Sequence, residues 1–403
     1  MNKIFKVIWS KSKQCYVVVS EVAKNNTGKK KIVVASILAG LAMLISGGVS
    51  NVVAVAPIAP VDRPSQGLAN GSVKPGTTNG VAIASSSYID SHQSIAIGYR
   101  SYASGTFLGG NIKPSIAIGA GADARGNNTI SIGTVANNAA SYAVALGNES
   151  NVESGADYGL AVGYGSSVST QQGIAIGTNT KATASLAMAI GNGAKASGEN
   201  AISVGRGTSA SGGDAVSIGT SAQATGSDSL ALGKNAMANN GDSIAVGQDT
   251  VANKINSVAL GHSAQATGAS ANALGAQSKA SGVAAIAIGL NTNTSSDYSA
   301  TIGYNSKATV NESVALGSDS EATVAAGVSG YNPNTGRTST YSSLSGIALT
   351  STKGAVSIGS STNTRQITGL AAGTKDTDAV NVAQLKSVNL AFTGDNSSSG
   401  DVN

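Results

Sequence analysis

The chain is poor in nearly everything that chemistry at an active site requires. Its 403 residues contain one cysteine, Cys15, and two histidines, His92 and His262. Disulfides and cysteine-ligated metals are therefore excluded from all but the N-terminal end. No Cys/His cluster has metal-ligand spacing, so neither a metal nor a cofactor is expected. The many serines have no histidine placed to act as their base. Acidic residues are scattered rather than gathered on one face, as polysaccharide cleavage would need. No catalytic residue can be named, and the chain reads as a non-enzyme. Aromatics make up 4% and charged residues 11% of the sequence, which leaves too few large side chains for a conventional thick core.

The net charge of +5 is also misleading. Residues 1–54 hold eight lysines and one glutamate, and the remainder carries 17 basic and 19 acidic side chains. The basic balance belongs to the N-terminal segment. The rest shows no electrostatic footprint for nucleic acid.

What the sequence has in excess is glycine, 52 of them, placed periodically. The stretch Ser94-Ile95-Ala96-Ile97-Gly98 recurs as Ser115–Gly119, Gly173–Gly177, Ala285–Gly289 and Ser313–Gly317. Twelve closing glycines from Gly163 to Gly317 follow one another at intervals of fourteen. Gly98, Gly119, Gly133 and Gly147 belong to the same series, with seven residues inserted before Gly119 and two before Gly163. A short fixed period means a solenoid.

Aligned on the closing glycine, the columns have distinct characters. Large aliphatic residues stand one place before it (Ile97, Leu146, Leu232) and usually three places before it (Ile95, Val216, Ile244), with a small residue between (Ala96, Ser203, Ala231). Large, small, large is the period of a β-strand with one apolar face. Three and five places after the glycine the residues are small (Ala194 and Ala196, Ala222 and Ala224), and the place between varies (Lys195, Gln223, Met237, Glu321). That pattern predicts a second strand with one solvent-facing column. Gly, Asn and Asp mark the corners, among them Asp214, Asp228, Asp242 and Asn256. His262 sits beside a repeat glycine, where other copies have Asn148, Thr220 and Lys234, and reads as a turn residue.

Two strands and two turns in fourteen residues make one coil of an all-β solenoid, a narrow roll of parallel in-register strands. Sixteen coils at about 4.8 Å each would stack to roughly 75 Å. Two aliphatic side chains and a few alanines per coil are little burial against the entropy of ordering fourteen residues. The aliphatic stripe is therefore expected to meet the same stripe from other copies. Which strand face points into the roll is left open by the pattern. Asn272 and Ala300 break the aliphatic column; they read as tolerated irregularities of a long array, or as a polar site for a bound ion or water near an assembly axis. Glycine pairs such as Gly191-Asn192-Gly193 are explained by the repeat and precede no helix, so nucleotide binding is not expected.

The N-terminal segment is a signal peptide. Lys29, Lys30 and Lys31 precede a fourteen-residue apolar run, Ile32 to Ile45, broken by Ser46, Gly47 and Gly48. The run is too short to span a bilayer comfortably. Val52-Val53-Ala54 offers a small residue for cleavage between Ala54 and Val55. Residues 55–93, with Pro57, Pro60, Pro64 and Pro75, read as a loosely ordered lead-in.

After Gly317 the series returns once, at Val356–Gly359. The intervening stretch carries Tyr331-Asn332-Pro333-Asn334-Thr335-Gly336, which is turn chemistry in an inserted loop. Downstream, Thr377 or Asp378 could cap a helix, and Val382, Leu385, Asn389 and Phe392 have the spacing of a coiled-coil seam.

Three groups of motifs carry a family resemblance. Met1–Ser10 with Tyr16-Val17-Val18-Val19-Ser20-Glu21 resembles the extended signal peptide of large autotransporters of Gram-negative bacteria. The Ser-Ile-Ala-Ile-Gly repeats with the Tyr331–Gly336 insert, and the run Arg365-Gln366-Ile367-Thr368 through Asp378-Ala379-Val380-Asn381-Val382-Ala383-Gln384-Leu385, resemble the head and neck of YadA-type trimeric autotransporter adhesins. The resemblance implies a parallel homotrimer of left-handed β-rolls, then a short neck and the start of a coiled-coil stalk. It implies that Asp378, Ala379, Val380, Asn381, Val382 and Leu385 belong to the trimer neck. It further implies export to the bacterial cell surface and outer membrane, and attachment to collagen, fibronectin, laminin or host cells. A spacer or self-association role in autoaggregation or biofilm is the alternative. Ligand-binding residues cannot be named. The implied organisation is an extended signal peptide over 1–54, the lead-in over 55–93, head repeats over 94–317 and an insert with the last repeat over 318–359. The neck follows over 360–389, and a stalk module begins at 390–403. The family's β-barrel anchor has no counterpart after Leu390, so a membrane anchor is expected only in a longer product.

The secreted chain should begin at Val55. Mass measurement of the N-terminal peptide of exported protein checks this, and a start far from residue 55 would refute it.

Overall fold

The structure, a computed structural model, describes residues 5–10, 15–20, 66–68, 71–75, 77, 79–105, 113–332, 337–338 and 349–387. It divides into two units, residues 1–62 and 63–403. In the first, Phe5–Ser10 and Cys15–Ser20 pair as antiparallel strands, Phe5 opposite Ser20 and Ser10 opposite Cys15.

The second unit is a parallel β-solenoid. Each coil has a three-residue strand, a corner, a two-residue strand and a second corner. Leu230–Leu232 and Met237–Ala238 are one example. Each strand pairs with its equivalent fourteen residues on: Leu230 with Ile244, Ala231 with Ala245, Met237 with Val251. Among the described residues the result is two ladders: nineteen strands in the first, of which the last, Val356–Ser357, has two residues, and eighteen in the second. Both are open stacks, because each strand pairs only with the coils before and after it. The seven-residue insertion leaves the register intact, with Ile97 opposite Ile118, as does the two-residue one, with Leu146 opposite Val162.

The faces, undecided by pattern alone, are assigned by burial. The small residue at the centre of each three-residue strand points into the roll, and Ala231, Ala245 and Ala259 have no exposed surface. So does the second residue of each two-residue strand, such as Ala224, Ala238 and Ala252. The interior is mostly alanine, with Ile89, Val152 and Val168 also fully buried at the inner position of two-residue strands, and serine and threonine enter it with most of their hydroxyls bonded to carbonyls, Ser217 Oγ being without a partner. Thr250 Oγ1 donates to Gly247 O at 2.9 Å, and Ser278 Oγ donates to Gly275 O at 2.8 Å. Asn138 is fully buried in the same interior, and its amide donates to Ala143 O at 2.8 Å and Ile130 O at 3.1 Å. Hydrogen-bonded burial of this kind carries little net cost.

Two residues per coil adopt left-handed backbone. Asp228 (φ 55°) precedes the three-residue strand and Asn235 (φ 55°) follows it. Asn and Asp tolerate that conformation better than most side chains. The closing glycine is stricter. Gly233 has φ of 135°, and a Cβ there would lie 2.4 Å from Gly247 O of the next coil.

The expectation of a loose lead-in over 55–93 is corrected in its second half. Gln66 pairs with Val81, Val81 with Ile95, and Ser72 with Tyr88, so coils begin upstream of Ser94. They escape a search for closing glycines because Ala84, at φ 94°, stands where the glycine would be. At the other end Val314 pairs with Val356 and Ala315 with Ser357. The last coil therefore closes across the inserted loop.

Gly233→Ala should destabilise the roll by about 1–3 kcal/mol from backbone strain alone, with the clash adding to it. Gln223→Ala, at an exposed site, should stay within about 0.5 kcal/mol of the parent. Denaturant unfolding compares them, and equal midpoints would contradict the packing described.

Candidate self-association and binding surfaces

With alanine facing inward, alternation places both aliphatic columns on the outer face of the same strand. Leu232, Leu260 and Leu316 remain 40%, 48% and 45% exposed. Their neighbours in the column, such as Ile218 and Ile302, are exposed as well, and so is Ile244 in the second column. Stacked at one coil per step, these side chains form a continuous apolar stripe the length of the ladder. Contiguous exposed apolar surface on that scale marks an interaction site. The breaks in it are minor: Asn272 is half-buried, and its Nδ2 donates to Ser270 O of its own coil at 3.2 Å.

The other sheet presents a different face. Lys181, Lys195, Gln223, Lys279 and Lys307 point to solvent from the two-residue strands. Lys307 is paired with Glu321 one coil on, at 3.2 Å. At the N-terminal end the same column carries Tyr88 and Tyr102, stacked with centroids 5.7 Å apart. Burial pushes the pKa of the Tyr102 phenol above its ordinary value, and its hydroxyl donates to Asp90 Oδ2 at 2.9 Å. His262 is exposed at its corner.

Side chains also ladder at the corners. Asn235 Nδ2 donates to Asp249 Oδ1 at 2.8 Å, and Asn305 Nδ2 to Asp319 Oδ1 at 2.8 Å. These bonds hold both carboxyls below the usual aspartate range. Among the described residues no group of acidic, histidine or cysteine side chains is arranged to hold a metal.

The roll ends at a clamp that sequence reasoning passed over as a site. Arg365 Nη1 donates to Ile358 O at 2.6 Å and to Ser320 Oγ at 3.1 Å, and Nη2 donates to Ser318 O. Its guanidinium lies over Gly317, where a Cβ would come within 2.9 Å of Cζ. Arginine thus satisfies the carbonyls left open where the roll ends.

The expected helix start at Thr377 or Asp378 is corrected. The helix is Val382–Ser387, and Asn381 caps it: Gln384 N donates to Asn381 Oδ1 at 2.9 Å, and Asn381 N donates to Gln384 Oε1 at 3.2 Å. This reciprocal arrangement was readable from Asn381 and Gln384 three apart. Gln384 also holds Gly373 through both its N–H and its carbonyl, at 3.0 and 2.9 Å. Asp378 has another task. Its Oδ2 accepts from Thr374 N at 2.9 Å and Lys375 N at 3.0 Å, fixing the turn ahead of the helix.

Ala379 is exposed, and Val380, Val382 and Leu385 are 66%, 65% and 68% exposed. No residue of the helix is buried. The neck residues named from sequence are therefore together in one short stretch, with their apolar members facing outward. Asn389, Phe392, the rest of the stalk and the cleavage residues Ala54 and Val55 lie outside the described residues.

Comparisons with known proteins fall in line with this layout. Residues 1–49 match the extended signal peptide of the type V secretion system. The YadA head domain repeat matches 91–107, 113–136, 154–180, 182–208, 210–236, 238–264, 266–292 and 295–320, together about half of the chain. Residues 366–403 match the coiled stalk of trimeric autotransporter adhesin. The autotransporter adhesin BadA of Bartonella henselae is 51% identical over 65 residues, 16% of this chain and 2% of that protein. The collagen-binding domain of the Yersinia adhesin YadA aligns at 27% identity over 54% of this chain and 83% of that one, with a TM-score of 0.23.

The Asp378 carboxyl titrates below its usual range because the Thr374 and Lys375 amides donate to the charged form. A depressed folded-state value adds stability that is complete above the unfolded value, about 3.9, and is lost as pH falls through the folded one. The Thr374 and Lys375 amide shifts, followed by NMR in acid, should inflect below about 3.9 and go flat in Asp378→Asn. An inflection at or above the ordinary value would contradict the turn.

Proposed function

Because the chain belongs to the trimeric autotransporter adhesins, we propose that it is the head and neck of a surface adhesin. In this reading three parallel copies share their aliphatic stripes, and the outward face of the assembly binds host extracellular matrix or host cells. The observation that carries this reading is the outward placement of both aliphatic columns along an alanine-filled roll. A lone roll leaves that stripe in water; three copies arranged around an axis cover it. The signal-peptide match supports export towards the cell surface.

Association also gives the binding face its strength. Each copy repeats its solvent-facing column coil after coil, and three copies present it three times. Many weak contacts of that kind combine through effective concentration rather than through one deep pocket. Extended fibrous ligands of the collagen, fibronectin or laminin class suit a long, shallow, repetitive face. The neck residues Val380, Val382 and Leu385 support the same assembly, since three copies would bury them together at the start of a stalk.

The exported chain should sediment as a trimer and bind immobilised matrix proteins or cultured host cells with an affinity that collapses when trimerisation is lost. Surface display on an otherwise non-adherent bacterium, scored for attachment and for clumping, tests the biological part. A folded trimer that clumps bacteria yet ignores every matrix protein and cell would overturn the host-binding reading in favour of self-association. A stable, well-ordered monomer would overturn the assembly itself.

A further inference from the structure

The aliphatic stripe explains why copies associate but leaves open how they keep level with one another. Leu232 and Leu260 are near-equivalent surroundings for a neighbour, so sliding one copy past another by a coil, about 4.8 Å, would change the apolar contact very little. Something off the stripe must distinguish one coil from the next.

The two corners flanking each three-residue strand vary from coil to coil and lie beside the stripe. We infer that these two shoulders meet between neighbouring copies, with Asp228 of one copy facing Lys234 of the next, and that such pairs fix the axial register of the assembly. The inference rests on the trimeric reading above.

Three observations carry it. First, the geometry of a cyclic trimer is heterologous: the shoulder before the strand on one copy meets the shoulder after the strand on the next. Rotation about the axis preserves height, so the residues that meet come from the same coil. Second, Asp228 and Lys234 are the two shoulders of one coil, are both exposed, and carry opposite charge. Among the described residues the ion pairs are Arg125–Asp123, Lys307–Glu321 and Lys353–Glu312, so neither Asp228 nor Lys234 is paired within its own chain. The acidic shoulder continues through Asp214 and Asp242 in the adjoining coils. Asp249, which lies near Lys234, is already held by Asn235 and Gln248.

Third, two other coils carry matched shoulders of a different kind. Tyr158 and Tyr164 flank the strand that closes at Gly163, and Tyr298 and Tyr304 flank the one that closes at Gly303; all four are exposed. Tyr158 stacks on Tyr142 of the preceding coil, with centroids 5.1 Å apart, so its ring is already ordered. The tyrosine coils lie five coils to either side of the Asp228–Lys234 coil. Aromatic pairs at the two outer levels and a charge pair between them are satisfied together only when the copies are level. A slip of one coil places Lys234 against Asp214 or Asp242 and sets Tyr158, Tyr298 and Tyr304 against non-aromatic shoulders in either direction, while Tyr164 meets Gln172 in one direction and Tyr142 in the other. Register is then enforced by the cost of the mismatches as much as by the matches.

Disulfide trapping tests this on the full chain carrying Cys15→Ser, so that the introduced thiols are the only ones. The pair Asp228→Cys with Lys234→Cys cannot close within one chain, because the strand between them holds the Cα atoms about 10 Å or more apart, beyond the roughly 7 Å limit for a bridge. Mild oxidation should convert most of this variant to covalent dimer and trimer. Asp228→Cys with His262→Cys, offset by two coils or about 9.6 Å, should give about tenfold less. Mass measurement before oxidation separates the readings. A monomer in the unoxidised parent would sink the trimeric reading and this inference with it. An intact trimer that fails to crosslink at 228/234, or crosslinks as well at 228/262, would overturn the register pairing alone.

Discussion

Every feature of the roll depends on stacking coils about 4.8 Å apart around a narrow interior filled mostly by alanine. Parallel strands in register supply the backbone hydrogen bonds, and the inner columns must be small for two ladders to approach so closely. Ala231, Ala238 and their equivalents fill that space completely. Alternation along a three-residue strand then leaves no choice: if the middle residue is inside, the two aliphatic neighbours are outside. The apolar stripe that an ordinary domain would bury within itself is here presented to other molecules.

The corners obey the same constraint. A carbonyl from the next coil occupies the space where a Cβ on Gly233 would go, so the closing glycine is a packing requirement as well as a backbone one. Hydroxyls such as those of Thr250 and Ser278 fold back onto nearby carbonyls, which leaves few interior donors unpaired. Little is left over for chemistry. Side chains that reach solvent do so in long columns, each repeating one coil at a time, and the surface is organised for extended contact rather than for a pocket. Arg365 finishes the stack by donating to carbonyls to which no further coil donates.

Most of this architecture is legible in the order of residues. Fourteen-residue spacing of the glycines fixes the coil, and the large-small-large triplet with the small-variable-small triplet fixes the two strands. What could not be read has specific causes. The triplet Leu230-Ala231-Leu232 is compatible with either face inward, and only the width of the interior decides. The coils before Ser94 are hidden because Ala84 adopts the backbone that glycine supplies elsewhere. Asp378 is a good capping residue and so points to an earlier helix start than the structure has; it serves the Thr374–Lys375 turn while Asn381 and Gln384 cap each other. Arg365 carries no local signal of its role, since its partners Ser318 and Ser320 lie more than forty residues upstream.

The pairing of Val314 with Val356 shows that continuity of the ladder does not require continuity of the chain. A strand recognises its place by the edge it meets, not by how many residues separate it from the previous coil, and the entropy of a longer excursion grows only as the logarithm of its length. Any junction between coils is thus a port where new sequence can be grafted without disturbing the stack. The seven-residue excursion between Ile97 and Ile118 uses one such port and the long segment before Val356 another. The ladder can thus take in extra sequence between coils and keep its register, as it does at Ile97–Ile118 and Val314–Val356.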